Sequence, residues 1–131
     1  MRTLLFDIDG TLLMTNGGGG GALKLAIQQE FGLDSACTDV NFSGRTDRSL
    51  LPELLERNGL PSDNEHQERL RDRYTMLLPE VLSQRGGSVL PGTVALLSRL
   101  SGESNLRCYV MTGNLVATAT QKLEHFELLM A

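Results

Sequence analysis

The sequence predicts an α/β fold in which a parallel sheet core is interrupted early by a helical cap. Two short apolar runs, at residues 2–8 and 107–111, have the length of buried strands and are followed by polar turns. Residues 15–86 show only helical patterns. Because neighbouring parallel strands are usually connected through a helix, this order favours a parallel sheet. We therefore expect a partial core at residues 1–14 and 87–131 and a cap domain at residues 15–86.

The first strand ends in a glycine turn, and a run of five glycines, residues 17–21, follows soon after it. A glycine inside a helix costs about 0.5 to 1 kcal/mol relative to alanine, because it loses more backbone freedom on folding. The run is therefore predicted to be a hinge or a flexible loop. A helix is predicted directly after it, from four apolar residues at helical spacing and a terminal glycine: Leu23, Ala26, Ile27, Phe31 and Gly32.

Two further helices complete the predicted cap. Residues 47–58 carry leucines on one face. A third helix is predicted over residues 62–84, with Ser62 as its N-cap and Glu65 three positions later. Pro79 is expected to kink or divide that helix, because proline lacks the N–H that an inner helical turn needs.

After the cap, the predicted order is helix, strand, helix. Pro91 and Gly92 open the first of these helices, and residues 107–111 form the second core strand. The last helix follows the small polar residues 112–114 and runs to about Phe126.

Composition argues against several classes of protein. With 12 basic and 16 acidic residues, the formal net charge of -4 does not favour a nucleic-acid-binding surface. No apolar run reaches the roughly 18 residues that a membrane helix needs. The two cysteines, Cys37 and Cys108, show neither zinc-ligand spacing nor a disulfide framework. We therefore expect a cytoplasmic location, with Cys108 as a core residue of the second strand.

Asp7 and Asp9 are the first candidates for chemistry. They come at the end of an apolar strand, and side chains two positions apart in a strand point to the same side. Two carboxylates this close are unfavourable unless a cation is shared between them or one carries a proton. Such a pair suits a metal-assisted nucleophile beside a general acid/base.

Thr112, Gly113 and Asn114 form the second candidate site, because they end the second strand and open a helix. Main-chain N–H groups at the start of a helix bind anions, and the threonine hydroxyl adds a donor. The carboxyl ends of parallel strands meet at one edge of a sheet, where ligands bind. Asp7 and Thr112 are therefore predicted to face one pocket.

These segments resemble motifs of the haloacid dehalogenase (HAD) superfamily, in particular its phosphoglycolate phosphatase-like members with a helical cap. Residues 7–11 match the Asp-x-Asp-Gly-Thr motif in full, and residues 112–114 match the second motif, a threonine followed by Gly-Asn. Residues 44–47 resemble the cap segment that reaches back over the site, and residues 90–92 resemble the return to the core. The resemblance implies a Rossmann-like hydrolase core with an inserted helical cap.

The resemblance also implies a mechanism. Asp7 is the implied nucleophile, which forms an aspartyl-phosphate, and Asp9 is the implied general acid and base. The implied cofactor is Mg2+, bound by the Asp7 carboxylate and the Asp9 main-chain carbonyl. Residues 112–114 are implied to hold the phosphoryl oxygens. The family's dehalogenases lack the second carboxylate, so Asp9 favours phosphoryl transfer.

The cap offers a candidate substrate contact at Gly44 and Arg45. A guanidinium binds a carboxylate or a phosphate through two hydrogen bonds, so Arg45 is a candidate substrate ligand. A surface arginine that pairs with Asp47 is an equally good interpretation of the same residues.

Two further family motifs have no clear match. Lys122 lies only two turns into the last helix, earlier than the family's lysine, and is predicted to be a solvated helix residue. No aspartate follows Asp72, and Glu124 and Glu127 are the acids of the last segment, so an acidic metal motif is missing. We therefore expect the first part of a longer enzyme, with weak Mg2+ binding and an unpaired apolar edge on the first strand.

The predicted function is that of a Mg2+-dependent phosphatase of small phosphorylated metabolites, with neither nucleic acid nor membrane as a partner. A β-phosphoglucomutase-like phosphoryl transfer is an alternative, since the same residues could return the phosphoryl group to a sugar. The alternative from another class is a non-catalytic remnant that keeps an anion-binding module at residues 112–114.

Overall fold

A computed structural model describes residues 1–128 of the chain. Within that range it contains both strands and helices, which confirms the predicted α/β class. The elements follow the order β1 Arg2–Phe6, β2 Leu13–Met14, α1 Gly18–Phe31, α2 Asp47–Arg57, α3 Asn64–Arg85, β3 Ser88–Val89, α4 Thr93–Ser101, β4 Leu106–Val110 and α5 Val116–His125.

Strands β1 and β4 form a parallel pair, as the sequence predicts. Their register runs from Arg2 opposite Leu106 to Phe6 opposite Val110. One hydrogen bond continues the pairing past the strand ends, from the N–H of Met111 to the carbonyl of Phe6 at 2.8 Å. The residues that follow the two strands therefore lie side by side at one edge of the sheet. In the described part of the chain, the opposite edge of β1 has no strand partner.

A second, antiparallel pair of strands lies at the two ends of the helical segment. β2 pairs with β3, with Leu13 opposite Val89 and Met14 opposite Ser88. The pairing requires Gly87, because its φ is 91° and an added Cβ would collide with the Met14 carbonyl. The helical segment between β2 and β3 therefore begins and ends at this strand pair.

Helices α1, α2 and α3 pack around a hydrophobic core of their own. Its buried residues in the described chain are Ala22, Leu23, Ala26, Ile27, Leu50, Leu51, Leu54, Leu55, Leu70, Tyr74, Leu78, Val81 and Leu82. The helical residues between β2 and β3 therefore bury their apolar faces mainly against one another.

Gly17 is the N-cap of α1 and residues 18–21 form its first turn, so the predicted loop is wrong for most of the run. The cause is the close approach of α1 to α3. A Cβ added at Gly18 would lie 3.0 Å from Leu82 Cδ2, and one at Gly21 would lie 2.7 Å from a guanidinium nitrogen of Arg85. Glycine at these positions lets the two helices pack together, and α1 then continues to Phe31.

The N-cap of α3 is Asp63 rather than the predicted Ser62. The Asp63 carboxylate accepts the N–H of His66 at 2.8 Å, which satisfies one of the free donors of the first turn. Ser62 instead donates its hydroxyl to the Glu56 carboxylate at 3.1 Å.

Pro79 does not divide α3, which runs as one helix of 22 residues. Proline lacks the N–H that would bond to the carbonyl four residues earlier, which belongs to Thr75. The side chain of Gln121 in α5 donates to that carbonyl at 2.7 Å instead. The missing helical bond is thus replaced by a contact between the helical segment and α5.

The sheet region has a smaller core and exposes more apolar surface. Its buried residues in the described chain are Ile8, Leu12, Leu13, Ala119, Leu123 and Leu128. Leu5, Tyr109 and Met111 are each more than half exposed. Cys108 is also exposed, so its predicted place in the core is wrong, because β4 is accessible along most of its length. None of the described helices has the length and apolarity to cross a membrane.

Candidate active site

The residues after β1 turn back and direct two aspartates to a cavity. Ile8 is fully buried in the sheet-side core, while Asp7 and Asp9 on either side of it are exposed. The Ile8 carbonyl accepts the N–H of Leu12 at 2.9 Å, which closes the turn. Asp7 and Asp9 both line one cavity of about 950 Å³, whose walls come from the sheet edge and from the helical segment.

Asp9 is held by a lysine of α5 and by an asparagine of the turn before it. Both Asp9 carboxylate oxygens accept from Lys122 Nζ, at 3.0 and 3.1 Å. Asn114 Nδ2 donates to the same carboxylate at 2.8 Å, and Asn114 Oδ1 accepts from Lys122 Nζ at 2.7 Å. The three side chains form a closed network, in which the bonds to charged groups are stronger than neutral ones.

The prediction that Lys122 is a solvated residue is wrong, since its side chain is only 6% exposed. The buried residues of α5 are Thr118, Ala119, Lys122 and Leu123. Their spacing of three and four places Lys122 on the inner face of the helix, which is the periodic signal that could have found it. The burial of an ammonium group is unfavourable without a partner, and Asp9 supplies the compensating charge.

Asp7 has a different environment. Its carboxylate accepts the N–H of Ile8 at 2.8 Å, and within residues 1–128 it has no salt bridge. Of the two carboxylates, Asp9 is therefore restrained by an ion pair, and Asp7 remains accessible to a ligand in the cavity. This asymmetry suits a nucleophile beside a fixed proton-transfer group.

Thr112, Gly113 and Asn114 line the same cavity as the two aspartates. Thr112 Oγ1 accepts from the Asn114 N–H at 3.1 Å and from Asn114 Nδ2 at 2.7 Å. Because the Thr112 oxygen serves as an acceptor in both bonds, its own hydroxyl proton is available to an oxygen atom in the cavity. Asp7 and Thr112 thus line one pocket, as predicted, because the parallel strands β1 and β4 end at the same edge of the sheet.

Gly44 and Arg45 reach the cavity from the helical segment. Arg45 Nη2 lies 2.6 Å from Glu53 Oε2, and Arg45 Nε donates to Ser49 Oγ at 3.2 Å. Arg45 thus pairs with Glu53 rather than with Asp47. The hydrogen bond from Arg45 also lowers the pKa of Glu53.

Asp47 and Tyr74 line the cavity as well. Asp47 is the last residue of the cap segment 44–47, although it was not predicted as a site residue, and no sequence motif points to Tyr74. Asp47 is 9% exposed, and its carboxylate accepts from Leu115 N and Thr118 Oγ1 at 3.1 and 3.0 Å. Burial raises the pKa of Asp47, although these two hydrogen bonds act in the opposite direction. Burial likewise raises the pKa of Tyr74.

The oxygen donors of Asp7 and Asp9 fit a magnesium ion that takes its remaining ligands from phosphate and water. Among residues 1–128, no three or more His, Cys, Asp or Glu side chains are placed to hold a metal together. Asp7 offers a carboxylate oxygen and Asp9 a main-chain carbonyl oxygen, and both are hard donors of the kind that Mg2+ prefers. Because Mg2+ is commonly bound through one or two carboxylates plus phosphate oxygens and water, the two aspartates fit an ion that shares its remaining positions with a phosphate ligand and water.

No family model matches the chain, and no curated protein matches it by sequence, but solved structures do. A hydrolase from Pseudomonas syringae is 25% identical with a TM-score of 0.68, and the match covers 95% of this chain and 56% of that chain. CbbY from Rhodobacter sphaeroides in complex with phosphate is 14% identical with a TM-score of 0.76, covering 97% and 57%. A predicted phosphoglycolate phosphatase from Haemophilus somnus 129pt is 15% identical with a TM-score of 0.66, covering 97% and 57%.

Three further matches carry names of the same kind. They are a HAD hydrolase from Entamoeba histolytica, a candidate beta-phosphoglucomutase from Thermotoga maritima and the candidate HAD hydrolase YfnB from Bacillus subtilis bound to magnesium. The chain spans 56–61% of the length of these six structures. The chain therefore has the fold of these structures, two of which are named as HAD hydrolases.

Proposed function

We propose that the site belongs to a Mg2+-dependent phosphatase that hydrolyses small phosphorylated metabolites through an aspartyl-phosphate. The observation that carries the proposal is the asymmetric pair of carboxylates, with Asp7 accessible in the cavity and Asp9 fixed by Lys122. Covalent catalysis needs one carboxylate free to form a bond, and acid-base catalysis needs a second one held at the leaving group. The similar structures named as a phosphatase and as a complex with phosphate support this substrate class.

In the first step, a carboxylate oxygen of Asp7 attacks phosphorus, and the bond from phosphorus to the alcohol oxygen breaks. Asp9, protonated for this step, gives its proton to that oxygen, so that the alcohol leaves as a neutral molecule. The product is an acyl phosphate on Asp7. Lys122 and Asn114 support the step because they fix where the Asp9 carboxyl group lies.

In the second step, the Asp9 carboxylate takes a proton from water while the water oxygen attacks phosphorus. The bond between phosphorus and the Asp7 oxygen breaks, which releases inorganic phosphate and restores both aspartates to their starting states. The Thr112 hydroxyl and the Gly113 N–H are the donors for the phosphoryl oxygens in both steps. Arg45, held by Glu53 at the cavity wall, is the candidate contact for the rest of the substrate.

The Asp7 carboxylate and the Asp9 main-chain carbonyl would hold Mg2+. When bound, the ion would neutralise negative charge on the phosphoryl oxygens. Since residues 1–128 bring no cluster of three or more ligating side chains together, we expect weak binding of Mg2+ to this chain in the absence of phosphate.

A mutase that returns the phosphoryl group to a sugar is the second candidate. The similar structure from Thermotoga maritima favours it, because that protein is named as a candidate beta-phosphoglucomutase. The two reactions share the attack by Asp7 and differ in the acceptor of the phosphoryl group. Incubation with a sugar phosphate and its bisphosphate distinguishes them, since a mutase yields the isomeric sugar phosphate and a phosphatase yields free phosphate.

The direct test is phosphate release from p-nitrophenyl phosphate in the presence of Mg2+. Turnover that is lost in both Asp7→Asn and Asp9→Asn is expected. Asp34→Asn is the matched control, because it removes the same charge from an exposed residue that does not line the cavity. No turnover in the unmodified chain would contradict the proposal and favour a non-catalytic anion-binding module. Turnover that persists in Asp7→Asn would contradict the assignment of Asp7 as the nucleophile.

A further inference from the structure

We propose that Asp47 is a positioning residue, whose carboxylate caps α5 from the helical segment and thereby fixes the turn that holds Asp9. The inference rests on the proposed function, because it gives Asp47 a part in placing the acid/base group. Asp47 lies in the first turn of α2, and the bonds that carry the inference all join α2 to the start of α5.

Helix α5 begins without a side-chain cap of its own. Its N-cap residue is Leu115, whose side chain has no atom that can accept a hydrogen bond. The first N–H groups of a helix have no partner inside the helix and are normally satisfied by a capping side chain. Asp47 Oδ2 accepts the N–H of Leu115 at 3.1 Å and the hydroxyl of Thr118 at 3.0 Å. Asp47 therefore supplies the cap that the sequence of α5 lacks.

The main chain makes a second connection at the same place. The Asp47 N–H donates to the Gly113 carbonyl at 2.7 Å. A Cβ added at Gly113 would lie 2.6 Å from the Arg45 carbonyl oxygen and 3.1 Å from Thr46 Cα. The absence of a side chain at Gly113 thus lets the segment before α2 approach the turn closely enough for both connections to form.

The connection is shielded from water. Thr118 is fully buried, and Asp47 is nearly so. A buried carboxylate is unfavourable unless hydrogen bonds compensate for its lost hydration. The N–H, the hydroxyl and the positive end of the α5 dipole offset part of that cost, although burial still raises the pKa of Asp47. The hydrogen bonds to α5 are therefore what Asp47 gains in return for its burial.

The turn that Asp47 fixes also carries the partner of the acid/base group. Asn114 lies between Gly113 and Leu115, the two residues whose main chains bond to Asp47. Its side chain donates to Asp9 and accepts from Lys122. The position of the helical segment over the cavity and the position of the Asp9 carboxyl group are therefore coupled through Asn114.

Solution NMR of the 15N-labelled chain tests the coupling without any need for turnover. The variant is Asp47→Ala, and the readouts are the hydrogen-exchange rate of the Leu115 amide and the side-chain amide signals of Asn114. The matched control is Asp63→Ala, which removes the N-cap of α3 at an exposed position with no bond to α5. Thr118→Val is a milder second variant, because it removes one of the two side-chain bonds and keeps the volume.

In Asp47→Ala we expect the Leu115 amide to exchange about fivefold to tenfold faster, as the loss of an N-cap implies, and the Asn114 side-chain signals to shift. Thr118→Val should show smaller changes in the same signals, and it keeps the test valid if Asp47→Ala unfolds. Asp63→Ala should change only the first turn of α3. Unchanged Leu115 and Asn114 signals in folded Asp47→Ala, or equal changes in Asp63→Ala, would overturn the inference.

A kinetic cycle separates positioning from a general loss of structure. With p-nitrophenyl phosphate, Asp47→Ala should lower kcat more than it raises KM, and it should have little further effect in a chain that already carries Asn114→Ala. Additive losses in the double variant would overturn the coupling through Asn114. A chain with no turnover would contradict the proposed function, while the NMR measurement would still decide the role of Asp47.

Discussion

The helical segment and the sheet region bury their apolar side chains to very different extents. Helices α1, α2 and α3 bury four, four and five hydrophobic residues, respectively, whereas four of the five residues of β4 are exposed. The catalytic candidates lie where the two regions meet, on turns at the sheet edge. Since burial of apolar surface is the main source of stability, we infer that the helical segment provides most of the stability and that polar contacts organise the site.

If the helical segment provides most of the stability, truncating a buried leucine of its core should give the largest loss of unfolding free energy. Leu54→Ala should lower the free energy of unfolding by about 3 to 4 kcal/mol, because Leu54 is fully buried and the substitution leaves a cavity. Leu96→Ala in α4 is the matched control, and its loss should be about 0.5 kcal/mol or less because Leu96 is 47% exposed. Urea denaturation measures both, and equal losses would contradict the comparison.

In contrast to the core substitution, a substitution at the site should have a large effect on activity and a small effect on stability. Lys122→Met removes the ion pair to Asp9, and we expect turnover to fall by about 100-fold. Asp9 is 46% exposed, so water can hydrate its unpaired carboxylate and the stability loss should be about 1 kcal/mol or less. Steady-state kinetics and urea denaturation of the same variant measure the two effects, with Arg99→Met on α4 as the control.

The glycine turn of α1 allows a finer test of packing in the helical segment. Gly20→Ala should stabilise the chain by about 0.5 to 1 kcal/mol, because its Cβ would meet Phe42 only at an ordinary distance of 3.7 Å. Gly18→Ala should be less stable than Gly20→Ala by about 1 kcal/mol or more, because its Cβ would lie 3.0 Å from Leu82 and 3.3 Å from Thr15. Thermal unfolding of the two variants checks the order, and equal stabilities would mean that α1 and α3 are not in close contact.

The smallest expected effect on the free energy of unfolding comes from an ion pair in the helical segment whose contribution depends on pH. Hydrogen bonds from Arg69 and Arg73 lower the pKa of Glu30 below its usual value of 4.5. A carboxyl group whose pKa is lower in the folded state stabilises it fully above the unfolded pKa and loses that effect as the pH falls through the folded pKa. Glu30→Gln should therefore cost about 0.5 kcal/mol or less at neutral pH and progressively less below about pH 4.5. A cost that does not change with pH would exclude this ion pair as its source.

The sequence predicted the order of the main elements and the parallel strand pair because both depend on local apolar patterns. The segments after β1 and β4 were placed at one sheet edge for the same reason, since strand direction alone brings them together. The sequence also indicated Arg45 as a candidate substrate contact or as a partner of Asp47. In the structure Arg45 pairs with Glu53 of α2. That choice depends on side-chain directions within α2, which the motif does not specify.

The predictions for the glycine turn, Pro79 and Lys122 failed for a common physical reason, which is contact between elements far apart in the chain. The glycine turn is helical because α3 lies against it, and Pro79 is accommodated because Gln121 of α5 replaces a bond. Lys122 is a functional candidate because folding brings it to Asp9, more than 60 positions away. Asp47 lies in the cap segment 44–47, but its bond to Leu115 spans a similar distance in the chain and could not be predicted from that segment. Local propensity carries no information on such contacts, although the periodicity of α5 does place Lys122 on its inner face.

The most direct measurement for the central claim is detection of a phosphoryl group on Asp7. In the proposed mechanism Asp9 activates the water, so Asp9→Asn is expected to slow hydrolysis of the intermediate. This variant is treated with a reactive phosphate ester and Mg2+ and then analysed by mass spectrometry after proteolysis. We expect the mass of one phosphoryl group on the peptide that contains residue 7, and no adduct when Asp7→Asn is combined with Asp9→Asn. An adduct on another residue, or an adduct that survives Asp7→Asn, would contradict the assignment of Asp7 as the nucleophile.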